Sequence, residues 1–220
     1  MSRPRNVVDV ALGITEPNSG RKDERVTAVC EIFRNPGKNK PERVGQGCLL
    51  SHCNECYLVT ADTVIPDGEV EPNIQYDVKF TKKDLSEKCF RLKDIKKKVK
   101  YHSGLAIFFI DLNSPKLKHT CRNKTCSIFK SPLTITALGE GKKQFCYIGK
   151  KRFNLRVIVS SNSTIEFPPA PRPTIPNGLV ILQTVSNSTD KDVDVDKDVD
   201  VVGIQSQTRI IWGHEISGEL

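Results

Sequence analysis

Val44 to Ser51 reads VGQGCLLS and Cys56 to Val64 reads CYLVTADTV, two short apolar stretches separated by His52-Cys53-Asn54-Glu55. Aliphatic and β-branched runs of this length, bounded by Gly, Asn or Lys, read as strands, and the polar spacer reads as the turn between them. The same pattern continues in both directions: Ala28 to Phe33, Leu105 to Leu112, Leu133 to Leu138, Leu155 to Val159, Leu179 to Leu182 and Val201 to Ile204. No stretch sustains a helical period. A chain of 220 residues is long enough for one large all-β domain or two small barrels, either with a sizeable core.

The order of these strings resembles the trypsin-like serine protease superfamily. Its members carry a GxGFLV-like strand, a short turn and then VLTAAHV, and this chain keeps that frame but reads Thr60-Ala61-Asp62 where the catalytic histidine falls. The family's next strand opens with an Asp that orients the histidine; here Gly104 precedes Leu105-Ala106-Ile107-Phe108-Phe109-Ile110. Where the family has GDSGGPLV, this chain has Pro173-Thr174-Ile175-Pro176-Asn177-Gly178-Leu179-Val180, followed by Val201-Val202-Gly203-Ile204-Gln205-Ser206. Ile175, or Pro176 if the register slips by one, thus stands for the nucleophile. The likeness covers roughly residues 25 to 213 and is closest in style to intracellular HtrA-like members. It implies two six-stranded antiparallel β-barrels, with Asp62, Gly104 and Ile175 at degenerate triad positions and Pro173 at a degenerate oxyanion position.

Serine protease chemistry needs a hydroxyl activated by an imidazole, whose tautomer a carboxylate fixes. None of the three residues fills its role: Asp62 is a weak base near neutrality, Gly104 has no side chain and Ile175 no nucleophilic atom. Pro173 has no N–H to offer an oxyanion. The resemblance therefore implies a pseudoprotease, a non-catalytic module that docks a protein or extended peptide in the cleft between barrels. Two other classes compete with it. One is an active serine-type endopeptidase with a displaced triad, for which His102 and Ser103 are neighbours; alternation along a strand puts them on opposite faces, so they would not pair by themselves. The other is a basic nucleic-acid-binding β protein.

On this frame residues 1–24 are a polar arm, 25–112 the first barrel, 113–131 the connection, 132–213 the second barrel and 214–220 a tail. Thr63 to Asn73 reads as an exposed loop. The second barrel carries a Pro-rich insertion at 167–173 and an Asp/Val repeat at 190–200, whose alternation would bury Val193, Val195 and Val199. The aspartates of the repeat lack the sixth-position Gly and twelfth-position Glu of an EF-hand, so calcium is not expected. The N-terminus shows no signal peptide and no run long enough to cross a bilayer, which places the chain in the cytoplasm or nucleus with no membrane role. Its eight cysteines are then thiols or metal ligands rather than disulfides.

Cys53 and Cys56 have a CxxC spacing suited to one zinc ion, and Cys121 and Cys126 form a poorer second pair. Nothing in the sequence brings the two pairs together, so these four remain candidates only, and neither a metal nor a cofactor is expected. The net charge of +8 is densest at Lys93 to Lys100, KDIKKKVK. Lysines there suit phosphate contacts, but they equally suit a solvated edge strand that resists edge-to-edge pairing, and no aromatic residues interleave for base stacking.

Overall fold

Two apolar strands joined by a two-residue loop form a hairpin whose register the loop fixes. The computed structural model describes residues 28–35, 40–67, 74–81, 87–111, 114, 118–121, 124–127, 132–149, 151–155, 174–185, 199–206 and 209–220. In it β1 (Val29–Asn35), β2 (Glu42–His52) and β3 (Glu55–Ala61) make an antiparallel meander. His52 pairs with Glu55 across a Cys53-Asn54 loop in which both residues have positive φ, 48° and 65°, the conformation of a type I′ turn. From Cys56 to Ala61 every residue of β3 is buried, so the strand faces protein on both sides and shows no polar alternation.

The chain continues as β4 (Gln75–Thr81), β5 (Glu87–Arg91), a single turn α1 (Leu92–Ile95), β6 (Lys96–His102) and β7 (Leu105–Ile110). These complete a seven-stranded antiparallel sheet in the order β5-β4-β1-β2-β3-β7-β6, curled into a half-barrel. Strand β4 alternates strictly, with Tyr76, Val78 and Phe80 buried. The stretch expected as a connection contains a small hairpin, β8 (Lys118–Cys121) with β9 (Lys124–Ser127). A second sheet holds β10 (Thr134–Ile135), β11 (Gln144–Ile148), β12 (Lys151–Leu155), β13 (Val180–Thr184), β14 (Val199–Gln205) and β15 (Ile210–Trp212). The chain closes with the helix α2 (Gly213–Glu219).

The all-β expectation holds. The strand count differs from two six-stranded antiparallel barrels: the first sheet has seven strands, and in the second β10 runs parallel to β14. Among the described residues no ladder joins β5 to β6 to close the first sheet. The expected loop after Asp62 is only partly exposed. Val64 and Ile65 are buried, and the Val64 N–H donates to Ala61 O at 3.0 Å. The expected tail is largely α2, held by buried Ile216 and by Glu215, whose carboxylate accepts the Trp212 N–H at 2.9 Å. The polar arm at 1–24, the Pro-rich insertion with Pro173, and residues 190–198 of the repeat, with Val193 and Val195, lie outside the described residues; Val199 is buried in β14. No helix among the described residues is long and apolar enough to cross a membrane.

One core cluster runs through both sheets, joining Leu58, Val59 and Phe108 to Phe145, Val201 and Ile211. A smaller one, with Cys146, Leu179, Ile181 and Val202, belongs to the second sheet. At about 1.5–3 kcal/mol per fully buried large side chain, this shared burial holds the two sheets to each other. Strand β2 is the seam. Leu133 N–H donates to Leu49 O and Leu133 O accepts from Ser51 N–H, both at 2.9 Å, while the Gln46 N–H donates to Asn177 O at 2.9 Å. The turn at 174–178 can approach this closely because of two glycines. A Cβ on Gly178, whose φ is +70°, would stand 2.5 Å from Gln46 O, and one on Gly45 would strike Asn177 O and Val64.

Candidate functional site

Where β3 ends, its ladder with β7 runs one residue further: Ala61 pairs with Leu105, and the Asp62 N–H then donates to Gly104 O at 2.9 Å. Gly104 sits in the β6–β7 turn. His102 pairs with Leu105, leaving Ser103 and Gly104 as a two-residue loop with φ of +52° and +85°. Gly suits the second position because it carries no Cβ to oppose the left-handed backbone. Beside this joint opens a cleft of about 460 Å³, lined by Asp62, Thr63, Pro66, Asp67, Tyr101, His102, Ser103 and Gly104.

Two of the three sequence-predicted positions, Asp62 and Gly104, therefore meet at one cleft. Ile175 does not line it. Its side chain packs against the smaller cluster of the second sheet. The turn that carries it is nevertheless tied to the cleft wall, since Thr63 Oγ1 donates to Asn177 Oδ1 at 2.9 Å. Pro173 lies outside the described residues.

The expectation that His102 and Ser103 face apart is overturned. The positive φ of Ser103 turns the chain out of strand geometry, and its Oγ lies 2.7 Å from His102 Nδ1. Glu219, brought from α2, completes the group: its carboxylate lies 2.6 Å from His102 Nδ1, accepts Ser103 Oγ at 3.0 Å and accepts Lys100 Nζ at 3.3 Å. Partial burial pushes the Glu219 carboxyl up, but the hydrogen bonds from Ser103, Lys100 and His102 outweigh it and hold the group below the usual carboxylate range. Two lone pairs 2.6 Å apart would repel, so Nδ1 carries a proton directed at Glu219. The serine hydroxyl proton points at the other carboxylate oxygen. Serine and carboxylate thus share one ring nitrogen instead of flanking the imidazole, and the imidazole is not set to take the serine proton. The group ties α2 to the β6–β7 turn.

Tyr101 also lines the cleft, its hydroxyl 3.4 Å from Pro66 O. Burial, and then the Asp67 and Asp62 carboxylates, raise its phenol above the ordinary value. Neither aspartate has an ion-pair partner among the described residues. Nothing in the sequence marked Glu219, which meets Ser103 from 116 positions away. Asp67 carried only the turn signal of Pro66-Asp67-Gly68.

The candidate zinc ligands are placed less closely. Cys53 is exposed in its turn, while Cys56 points into the core, where burial pushes its thiol up to about 12. Cys121 and Cys126 lie on β8 and β9, with His119 opposite Cys126; their side chains are outside the described set. Among the described residues no group of three His, Cys, Asp or Glu side chains gathers closely enough for an ion. The six described cysteines, Cys30, Cys48, Cys53, Cys56, Cys89 and Cys146, are free thiols.

The lysine run begins in α1 with Lys93 and continues from Lys96 along the edge strand β6. Several of its amines are already engaged: Lys97 with Asp111 at 3.6 Å, Lys98 over the Phe109 ring at 3.9 Å, and Lys100 with Glu219. Compared with known proteins, the sequence matches no family model and no curated protein.

Proposed function

We propose that the chain is a trypsin-like pseudoprotease, a non-catalytic module that docks an extended peptide in the cleft beside Asp62 and Gly104. One observation carries this function: the two residues, far apart in sequence, are joined by a backbone hydrogen bond at the rim of a single cleft, as the protease likeness requires of its histidine and aspartate positions. The turn bearing Ile175 lies one hydrogen bond from Thr63 on the same wall. On this view the half-barrel and the second sheet are the remnants of the two barrels. The residues at the three positions supply no base, no orienting carboxylate beside a base and no nucleophile. The free thiols fit a reducing compartment, cytoplasmic or nuclear.

A displaced triad deserves mention because Ser103, His102 and Glu219 are in contact. Their shared use of Nδ1 favours a structural clamp instead. Reaction of the full chain with a fluorophosphonate probe, read by intact mass, separates the two: no added mass is expected, and labelling at Ser103 would establish the hydrolase. Docking itself is tested with a library of extended fluorescent hexapeptides. Binding is expected, together with its loss in Thr63→Trp, which fills the cleft; peptides that bind Thr63→Trp as well as wild type would place the docking surface elsewhere.

A further inference from the structure

We propose that Ser103 is a phosphorylation site for a protein kinase that reads basic residues before its target. The phosphate takes Lys100 and His102 away from Glu219 and so releases the end of α2. Neither step requires a peptide in the cleft. Ser103 is exposed at the first position of the β6–β7 turn. The strand leading to it reads Lys96-Lys97-Lys98-Val99-Lys100-Tyr101-His102, with lysines three, five, six and seven residues before the serine. Kinases discriminate targets by such charge patterns in an extended segment. Strand β6 offers the pattern already extended, with Lys97, Lys98 and Lys100 exposed. Among the described residues it is held only by β7, and Val99 and Tyr101 are only partly buried, so this edge opens more readily than the centre of the sheet.

In the transfer, the bond between the γ-phosphorus of ATP and its β–γ bridging oxygen breaks and a bond from that phosphorus to Ser103 Oγ forms. The hydroxyl proton passes to the catalytic carboxylate of the kinase, and ADP leaves. Esterified, Oγ has no proton to donate. The oxygen that donates to Glu219 Oε1 at 3.0 Å then faces it as an acceptor, carrying a phosphate with a charge of about −1.5 to −2. Lys100 Nζ, 3.3 Å from Glu219 Oε2, and His102 Nδ1, 2.7 Å from Ser103 Oγ, stand where the phosphate can accept from both. The other carboxylates on the cleft, Asp62 and Asp67, repel the phosphate, but Asp62 is fixed by its N–H bond to Gly104 O at the end of a buried ladder. Glu219 is the anion that can leave. The first turn of α2 stays anchored by buried Ile216 and by Glu215 on the Trp212 N–H. Its last residues rest on the partly buried Leu220 and on the clamp, where Lys100 Nζ also donates to Glu219 O at 2.8 Å.

The test treats the full chain with magnesium ATP and the catalytic subunit of a cyclic-AMP-dependent protein kinase. Peptide mass spectrometry locates the phosphate, and amide exchange follows α2. Ser103 is expected to carry phosphate, and the amides at 216–220 to exchange at least about 10-fold faster, with β2 and β3 unchanged. Ser103→Ala, treated alike, is expected to show no acceleration. The phosphorus-31 resonance that this variant lacks is expected to titrate at lower pH in the folded chain than in the same chain in urea, because Lys100 and His102 favour the dianion. A folded chain without phosphate at Ser103 overturns the site, whether or not a synthetic peptide of residues 94–108 accepts it: acceptance shows the turn closed to the kinase, refusal shows the lysines unread. Phosphate at Ser103 with unchanged exchange in α2, or with equal titration in the folded and unfolded chains, overturns the release. Acceleration that persists in Ser103→Ala belongs to another site and overturns it as well.

Discussion

Strands β2 and β6 belong to the same sheet and are built to opposite ends. The central strand β2 is paired with β1 and β3, touched by the second sheet through Leu133 and Asn177, and buried without a break from Gly45 to Leu50. Among the described residues the edge strand β6 pairs only with β7, and it leaves Lys97, Lys98 and Lys100 exposed. One tolerates no added atom at its glycines; the other meets solvent along one side. The cleft spans this contrast. Asp62 and Gly104 stand at the end of the buried β3–β7 ladder, while Tyr101, His102 and Ser103 come from the edge strand and its turn.

The contrast breaks most readily at Gly45. Gly45→Val drives a branched side chain against Asn177 O and Val64, and a loss of about 3 kcal/mol or more is expected in urea unfolding. A loss below about 1 kcal/mol would mean that the 174–178 turn shifts freely and that β2 is no seam. Thr60→Val probes the same strand more gently. It keeps the shape but removes the hydroxyl that donates to Gln46 O at 2.5 Å, and about 1–2 kcal/mol should be lost because that carbonyl is buried.

At the edge the effects shrink. Lys98→Ala removes an ammonium stacked on Phe109 and is expected to lower stability by about 0.5 kcal/mol; a loss as large as that of Thr60→Val would show that β6 is no tolerant rim. The Glu219 clamp sets the most local effect. Because its carboxyl is held below the ordinary range, the stabilisation it gives is present above the unfolded value of about 4.3 and is lost as the pH falls through the lower folded value. Amide exchange in α2 and at Ser103 should therefore accelerate on acidification before the rest of the sheet responds. Glu219→Gln should give the faster exchange already at neutral pH and abolish that acid dependence.

The apolar runs foretold β2, β3, β7, β13 and β14 because those strands are buried along most of their length, and β1 through its buried Cys30 and Ile32. They did not select β4. Its signal is alternation, Tyr76, Val78 and Phe80 between polar neighbours, which a search for continuous runs passes over. Helix α2 spans only Gly213–Glu219, too short to display a period. At the site, Asp62 and Gly104 were legible from their place in the protease-like strings. The pairing of Ser103 with His102 was not, since strand alternation predicts the reverse and a turn with positive φ decides otherwise.

By itself the amino-acid order determined a β-rich chain, the positions of its most buried strands and the absence of a histidine, aspartate and serine from the three places the likeness points to. Those properties reside in local composition and in side chains that either have or lack a reactive atom. Only the tertiary structure decided that Asp62 and Gly104 share a cleft, that Ile175 turns into the second core and that Glu219 reaches Ser103. Such meetings depend on ladder register and on close approach at two glycines, and these are set by contacts between residues distant along the chain.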